Sequence, residues 1–157
     1  MRKGRLIPAL AVLCMLSLAI MIAVLWRSDA DAGFTPPPFE PMARSGTAAA
    51  PEGAGYQELD MGAFRAGLCG KIRIREGMAV TCFTNPTDNS VWLRLRILDE
   101  DGNILGQTGL LRPGEYVAGV PMGEIPEGTS VVLKVMAYEP DTYHSAGTVT
   151  LHTRIAE

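Results

Sequence analysis

The densest group of chemically capable side chains in this 157-residue chain lies between Ala137 and Gly147, AYEPDTYHSAG. Asp141, His144 and Ser145 are the residue types of an orienter–base–nucleophile set, with Tyr138 and Tyr143 beside them. Adjacency on one loop does not build such a set, because the base must reach the nucleophile on one side and a carboxylate on the other. His144 and His152 are the only two histidines, and a zinc site needs more ligands than they supply nearby. The acidic stretch Asp99–Asn103, DEDGN, offers hard oxygen ligands. Gly102 is misplaced for an EF-hand loop, however, and no Glu follows at the twelfth position, so a hairpin turn is expected instead. No catalytic residue, metal site or cofactor is assigned, and the chain is not expected to be an enzyme. Ala137–Gly147 reads as the tip of a hairpin. Either Tyr143 folds back over the edge of the core, or Tyr143 and His144 form a partner-contact edge.

The elements around this tip alternate with period two. Val91, Leu93, Leu95 and Ile97 share one face of VWLRLRIL, and Trp92, Arg94 and Arg96 take the other. Val131, Leu133, Val135 and Ala137 repeat the pattern, which leaves Tyr138 opposite the apolar side; Val149, Leu151, Thr153 and Ile155 do so again, with His152 outward. Turn residues punctuate the runs at Asn85-Pro86, Asp101-Gly102-Asn103, Pro113-Gly114, Glu127-Gly128 and Ala146-Gly147. Strands are predicted near 68–74, 79–84, 91–98, 103–110, 115–120, 130–138 and 148–156. About seven short strands imply an all-β fold, an antiparallel β-sandwich of Ig-like or fibronectin-like form.

Cys69 and Cys82 flank a predicted hairpin with its turn near Glu76-Gly77. A register centred at residues 75 and 76 sets them directly opposite one another, so a Cys69–Cys82 disulfide is one expectation. The other is a pair of small buried residues that never meet.

Ahead of the sandwich, Leu6–Trp26 is a run of 21 residues without a charge, about 30 Å long as a helix. Arg2, Lys3 and Arg5 precede it and Asp29 and Asp31 follow Arg27, which by the positive-inside rule leaves the C-terminal part outside. The expected organisation is a signal-anchor helix over residues 1–27, a Pro/Ala/Gly-rich spacer over 28–55 and an extracytoplasmic β-sandwich over 56–157. The protein would then be single-pass in the cell membrane. The alternative is secretion after cleavage following Ala32, at the A-x-A site Ala30-Asp31-Ala32. Fourteen basic residues oppose seventeen acidic ones; four basic residues lie at or before Arg27, leaving ten against seventeen, a net charge of −7 for residues 28–157. That balance argues against nucleic acid as a partner.

PPPFE (Pro36–Glu40), TNP (Thr84–Pro86), VWLRLRILDEDGNILGQTGLLRPGEYV (Val91–Val117) and LKVMAYEPDTYHSAGTVTL (Leu133–Leu151) resemble small membrane-anchored proteins of Gram-positive gut bacteria, often encoded on integrative conjugative elements. That group has no assigned activity, so the resemblance implies a setting at the cell surface and carries over no site residue. The function expected is a non-enzymatic, membrane-tethered module contacting an envelope protein, with Trp92, Tyr138, Tyr143 and His144 as candidate contacts. The alternative is a module binding cell-wall glycan. Coplanar exposed aromatics among Trp92, Tyr116, Tyr138 and Tyr143 would favour glycan, and a bare apolar patch would favour protein.

Overall fold

The computed structural model describes residues 14–22 and 34–156. Residues 14–22 are helical and exposed. The rest of the expected Leu6–Trp26 span lies outside the described residues, as do the boundary at residues 27 and 28 and the Ala30–Ala32 cleavage site. Among the described residues, no helix is long and apolar enough to cross a membrane.

The compact β unit runs from Pro37 to Glu157. Ten strands fall into two antiparallel sheets, as a β-sandwich requires. The first sheet contains β1 (Arg44–Ser45), β2 (Tyr56–Asp60), β3 (Arg65–Cys69), β4 (Arg73–Arg75), β5 (Met78–Thr84) and β8 (Glu115–Pro121). Its order is β1-β8-β5-β3-β2, with β4 also paired to β5. The second contains β6 (Trp92–Leu98), β7 (Ile104–Gln107), β9 (Ser130–Tyr138) and β10 (Ser145–Arg154), in the order β10-β9-β6-β7. Leu68, Ile72, Phe83, Val117 and Val120 from the first sheet meet Leu93, Leu95, Ile97, Leu133 and Val135 from the second in one core. Bridges at Leu93–Leu111 and Ile72–Ile155 tie the sheets together along their sides.

Every predicted strand has a counterpart, with three departures that have local causes. The run near 68–74 breaks into β3 and β4. The run near 103–110 stops at Gln107, because Thr108 leaves the ladder: its Oγ1 accepts from the Leu95 amide at 2.9 Å, while its own amide donates to the Leu95 carbonyl at 2.9 Å. β1 and β2 are additional. The larger correction concerns the spacer expected over 28–55, because residues from Pro37 onward belong to the β unit. The Glu40 amide donates to the Leu110 carbonyl, the Leu110 amide donates to the Pro38 carbonyl, and Glu40 Oε2 accepts from the Gly109 amide at 2.7 Å. Arg44 and Ser45 then pair with β8, and Ala48 and Ala54 are buried. The polyproline run is thus the lead-in to a segment docked by its backbone.

Candidate functional site

The outer face of the four-stranded sheet is built by alternation. In β6, Leu93, Leu95 and Ile97 are buried against the first sheet, so Trp92, Arg94, Arg96 and Leu98 must point outward. β9 does the same with Val132, Lys134 and Tyr138, while Met136 on that face is itself buried. The register sets Trp92 opposite Tyr138, Arg94 opposite Met136 and Arg96 opposite Lys134. β10 adds the exposed Thr150, His152 and Arg154, and Gln107 of β7 stands beside Arg96.

None of the four strands contains an Asp or a Glu. Two like charges set directly across a ladder disfavour the pairing, yet Arg96 and Lys134 occupy that arrangement, with Arg94 two residues along. Arg94 Nε donates to the Thr108 carbonyl at 3.0 Å. Burial holds the Arg94 guanidinium below its usual range, the Arg96 charge lowers it further, and Tyr138 opposes both. Arg96 Nε is buried and makes no hydrogen bond within the protein. Among the described residues, ion pairs join Arg65 to Glu58 and Asp88, and Arg112 to Glu115; Arg94, Arg96, Lys134 and Arg154 take part in none of them.

One end of this face is aromatic. Trp92 meets Phe39 at 4.9 Å and 77° and Tyr143 at 5.2 Å and 61°, and the Arg112 guanidinium lies 3.6 Å from the centre of the Phe39 ring. The Ala137–Gly147 tip is the β9–β10 turn. The Glu139 amide donates to the His144 carbonyl at 2.8 Å, and the Tyr143 amide donates to the Glu139 carbonyl at 3.0 Å. Asp141 and Tyr143 adopt positive φ of 65° and 57°, which swings the Tyr143 ring back onto Trp92. Tyr143 is therefore half-buried, while His144 is exposed. Trp92, Tyr138 and Tyr143 gather at one end, but the Trp92 ring meets Phe39 and Tyr143 edge to face and is coplanar with neither.

The β3–β5 register is the one expected for Cys69 and Cys82, whereas the Glu76-Gly77 hairpin pairs Ile74 with Ala79, two residues out of it. Gly67 pairs with Thr84, and two residues further along each strand the cysteines face one another. Both are buried free thiols. Burial pushes the Cys69 thiol up to about 12, with further contributions from hydrogen bonding to Cys82 and from its charge. The Glu76-Gly77 turn is present with positive φ at both positions, 51° and 74°, as a two-residue hairpin of the mirror-image type requires. Cys82 lies at an irregularity in the β5–β8 pairing, with φ 46°.

Two polar residues carry the sheet ends: Asn85, which the sequence marked only as a turn residue, and Asn89, which it did not mark. Asn85 is fully buried, and its Nδ2 donates to the Val91 and Leu111 carbonyls, each at 2.9 Å. Its backbone also bonds Gly114 and Glu115, which locks the TNP loop to the PGEY turn. Asn89 donates to Asn85 Oδ1 and the Arg65 carbonyl and accepts from the Arg65 amide. PPPFE, TNP and PGEY thus have structural roles inside the fold. Asp99, in the acidic turn, accepts from both the amide and the Nδ2 of Asn103, and these bonds hold its carboxyl below the usual carboxylate range. Comparison with family models, curated proteins and solved structures gives no significant match to this chain.

Proposed function

We propose that the protein is a non-catalytic, membrane-tethered module of Ig-like or fibronectin-like type, held outside the cytoplasm, that contacts another protein at the bacterial cell envelope. Its setting is the cell surface during or after transfer of a conjugative element. The tether is the uncharged Leu6–Trp26 run with its basic N-terminal flank. One observation carries the contact role: the outer face of the four-stranded sheet combines Trp92, Tyr138, Arg94 and Arg96. Aromatic residues, Met and Arg are the residues enriched in protein–protein interfaces, and Trp, Tyr and Arg supply most of their hot spots. The edge-to-face aromatic packing favours a protein over a glycan, because sugar rings stack best on open, coplanar platforms.

Intact cells carrying a tagged chain are treated with a membrane-impermeant, amine-reactive cross-linker, and the chain is recovered under denaturing conditions. The expected product is a discrete adduct with one envelope protein. A chain that yields no protein adduct but is retained on purified wall glycan would overturn this reading in favour of a carbohydrate-binding module.

A further inference from the structure

We propose that the outer face of the four-stranded sheet binds a short acidic polypeptide segment, whose carboxylates pair with Arg94, Arg96 and Lys134. This rests on the envelope-contact reading and specifies the partner's chemistry.

Charge complementarity is the first argument. Arg96 and Lys134 oppose one another across the ladder, Arg94 lies on the same face, and no carboxylate comes from any of the four strands. A sheet that places like charges opposite one another gives up stability, and an anion between them removes the conflict. Arg96 Nε is already desolvated without an acceptor. A guanidinium fork matches a carboxylate with two parallel bonds.

The patch is also short. Seven residues of β6 span about 23 Å, and acidic turns close both ends, with Asp99–Asp101 at one and Glu139 and Asp141 at the other. A duplex carrying one charge per about 1.7 Å would run beyond the cations into these acids, and a long polyuronate would do the same. A short extended peptide would not. Alternate carboxylates on such a peptide recur about every 6.6 Å, which is the spacing of Arg94 and Arg96 along their strand. Its intervening side chains would point away from the sheet, so the carboxylates alone face the cations.

The test uses the full chain in detergent micelles and a fluorescent peptide of alternating Glu and Val, with an otherwise identical Gln-Val peptide as control. Polygalacturonate and double-stranded DNA serve as competitors. At low salt the Glu peptide is expected to bind at least about tenfold more tightly than the Gln peptide and to weaken as salt rises. Lys134→Glu turns the opposed pair with Arg96 into an attractive one. This variant is therefore expected to melt higher than the parent yet bind the Glu peptide at least about tenfold more weakly. Arg75→Glu, on an exposed position of the other sheet, is expected to leave binding unchanged. Should Lys134→Glu fold poorly, Arg96→Gln supplies the same binding readout without reversing a charge.

Equal affinity for the Gln peptide, undiminished binding by these variants, or tighter binding of either competitor would overturn the proposal. A protein adduct in cells that is indifferent to Lys134→Glu would overturn it as well, while leaving the envelope-contact reading in place.

Discussion

Cys69 and Cys82 face one another on central strands, with Cys82 in a left-handed conformation that non-glycine residues seldom adopt. The folded chain holds the Cys69 proton well above the ordinary thiol value of 9.0. Stability from this group is therefore complete below about pH 9 and is lost as pH rises toward 12, because the unfolded chain releases that proton first. Oxidised glutathione is expected to close the pair: two thiols lose two protons and two electrons, and the glutathione disulfide is reduced to two thiols. The closed loop of about 14 residues stabilises the domain by about 3 kcal/mol in the chain-entropy model. Melting temperature against pH, measured on reduced and oxidised chains, checks this. The reduced chain should lose stability more steeply between pH 9 and 12, since the bridge has no thiol to titrate. Superimposable profiles, or alkylation of both cysteines in the unfolded, unreduced chain after oxidation, would contradict it. The register of this pair was only partly legible: the Glu76-Gly77 turn pairs Ile74 with Ala79, two residues out of the register of Gly67 with Thr84, and the break between β3 and β4 that separates the two has no local signal. The role of Asn85 was not legible, since nothing local distinguishes an Asn that starts a turn from one whose amide reaches Leu111, 26 residues away.

At the scale of elements, β6, β9 and β10 were legible because each has one buried and one outward face, so the pattern alternates cleanly. β1 and β2 were not: β2 is a polar edge strand with two exposed acids, and β1 has only two residues. Residues 37–45 are held by bonds to chain about seventy residues away, which no local pattern announces. Their docking makes a sharp prediction. A Cβ placed on Gly109 would lie 2.5 Å from the Glu40 amide nitrogen, a backbone atom that cannot swing aside. Gly109→Ala is expected to lift this segment and destabilise the domain by about 1–3 kcal/mol. Phe39 packs on Trp92, so in a Trp26→Phe background the Trp92 emission should shift to the red as water reaches the ring. Unchanged emission and melting temperature would show that the docked segment does not contribute to the fold.

For the whole molecule, a net charge of −7 over residues 28–157 suggested a surface unsuited to anions. The fold separates what that total averages. Acids collect in turns and loops, while the four-stranded sheet keeps Arg94, Arg96, Lys134 and Arg154 without one. The alternation exposed Arg94 and Arg96 in the sequence, but the pairing of β6 with β9, which sets Lys134 opposite Arg96, required the structure. The central claim is that this face is the contact surface. It is tested most directly by placing a photo-cross-linking amino acid at Gln107, exposed beside Arg96, and separately at Lys71, exposed outside the four-stranded sheet, and irradiating intact cells. A discrete protein adduct from Gln107 and none from Lys71 is the predicted result. An adduct from Lys71 alone, or from neither position, would contradict it.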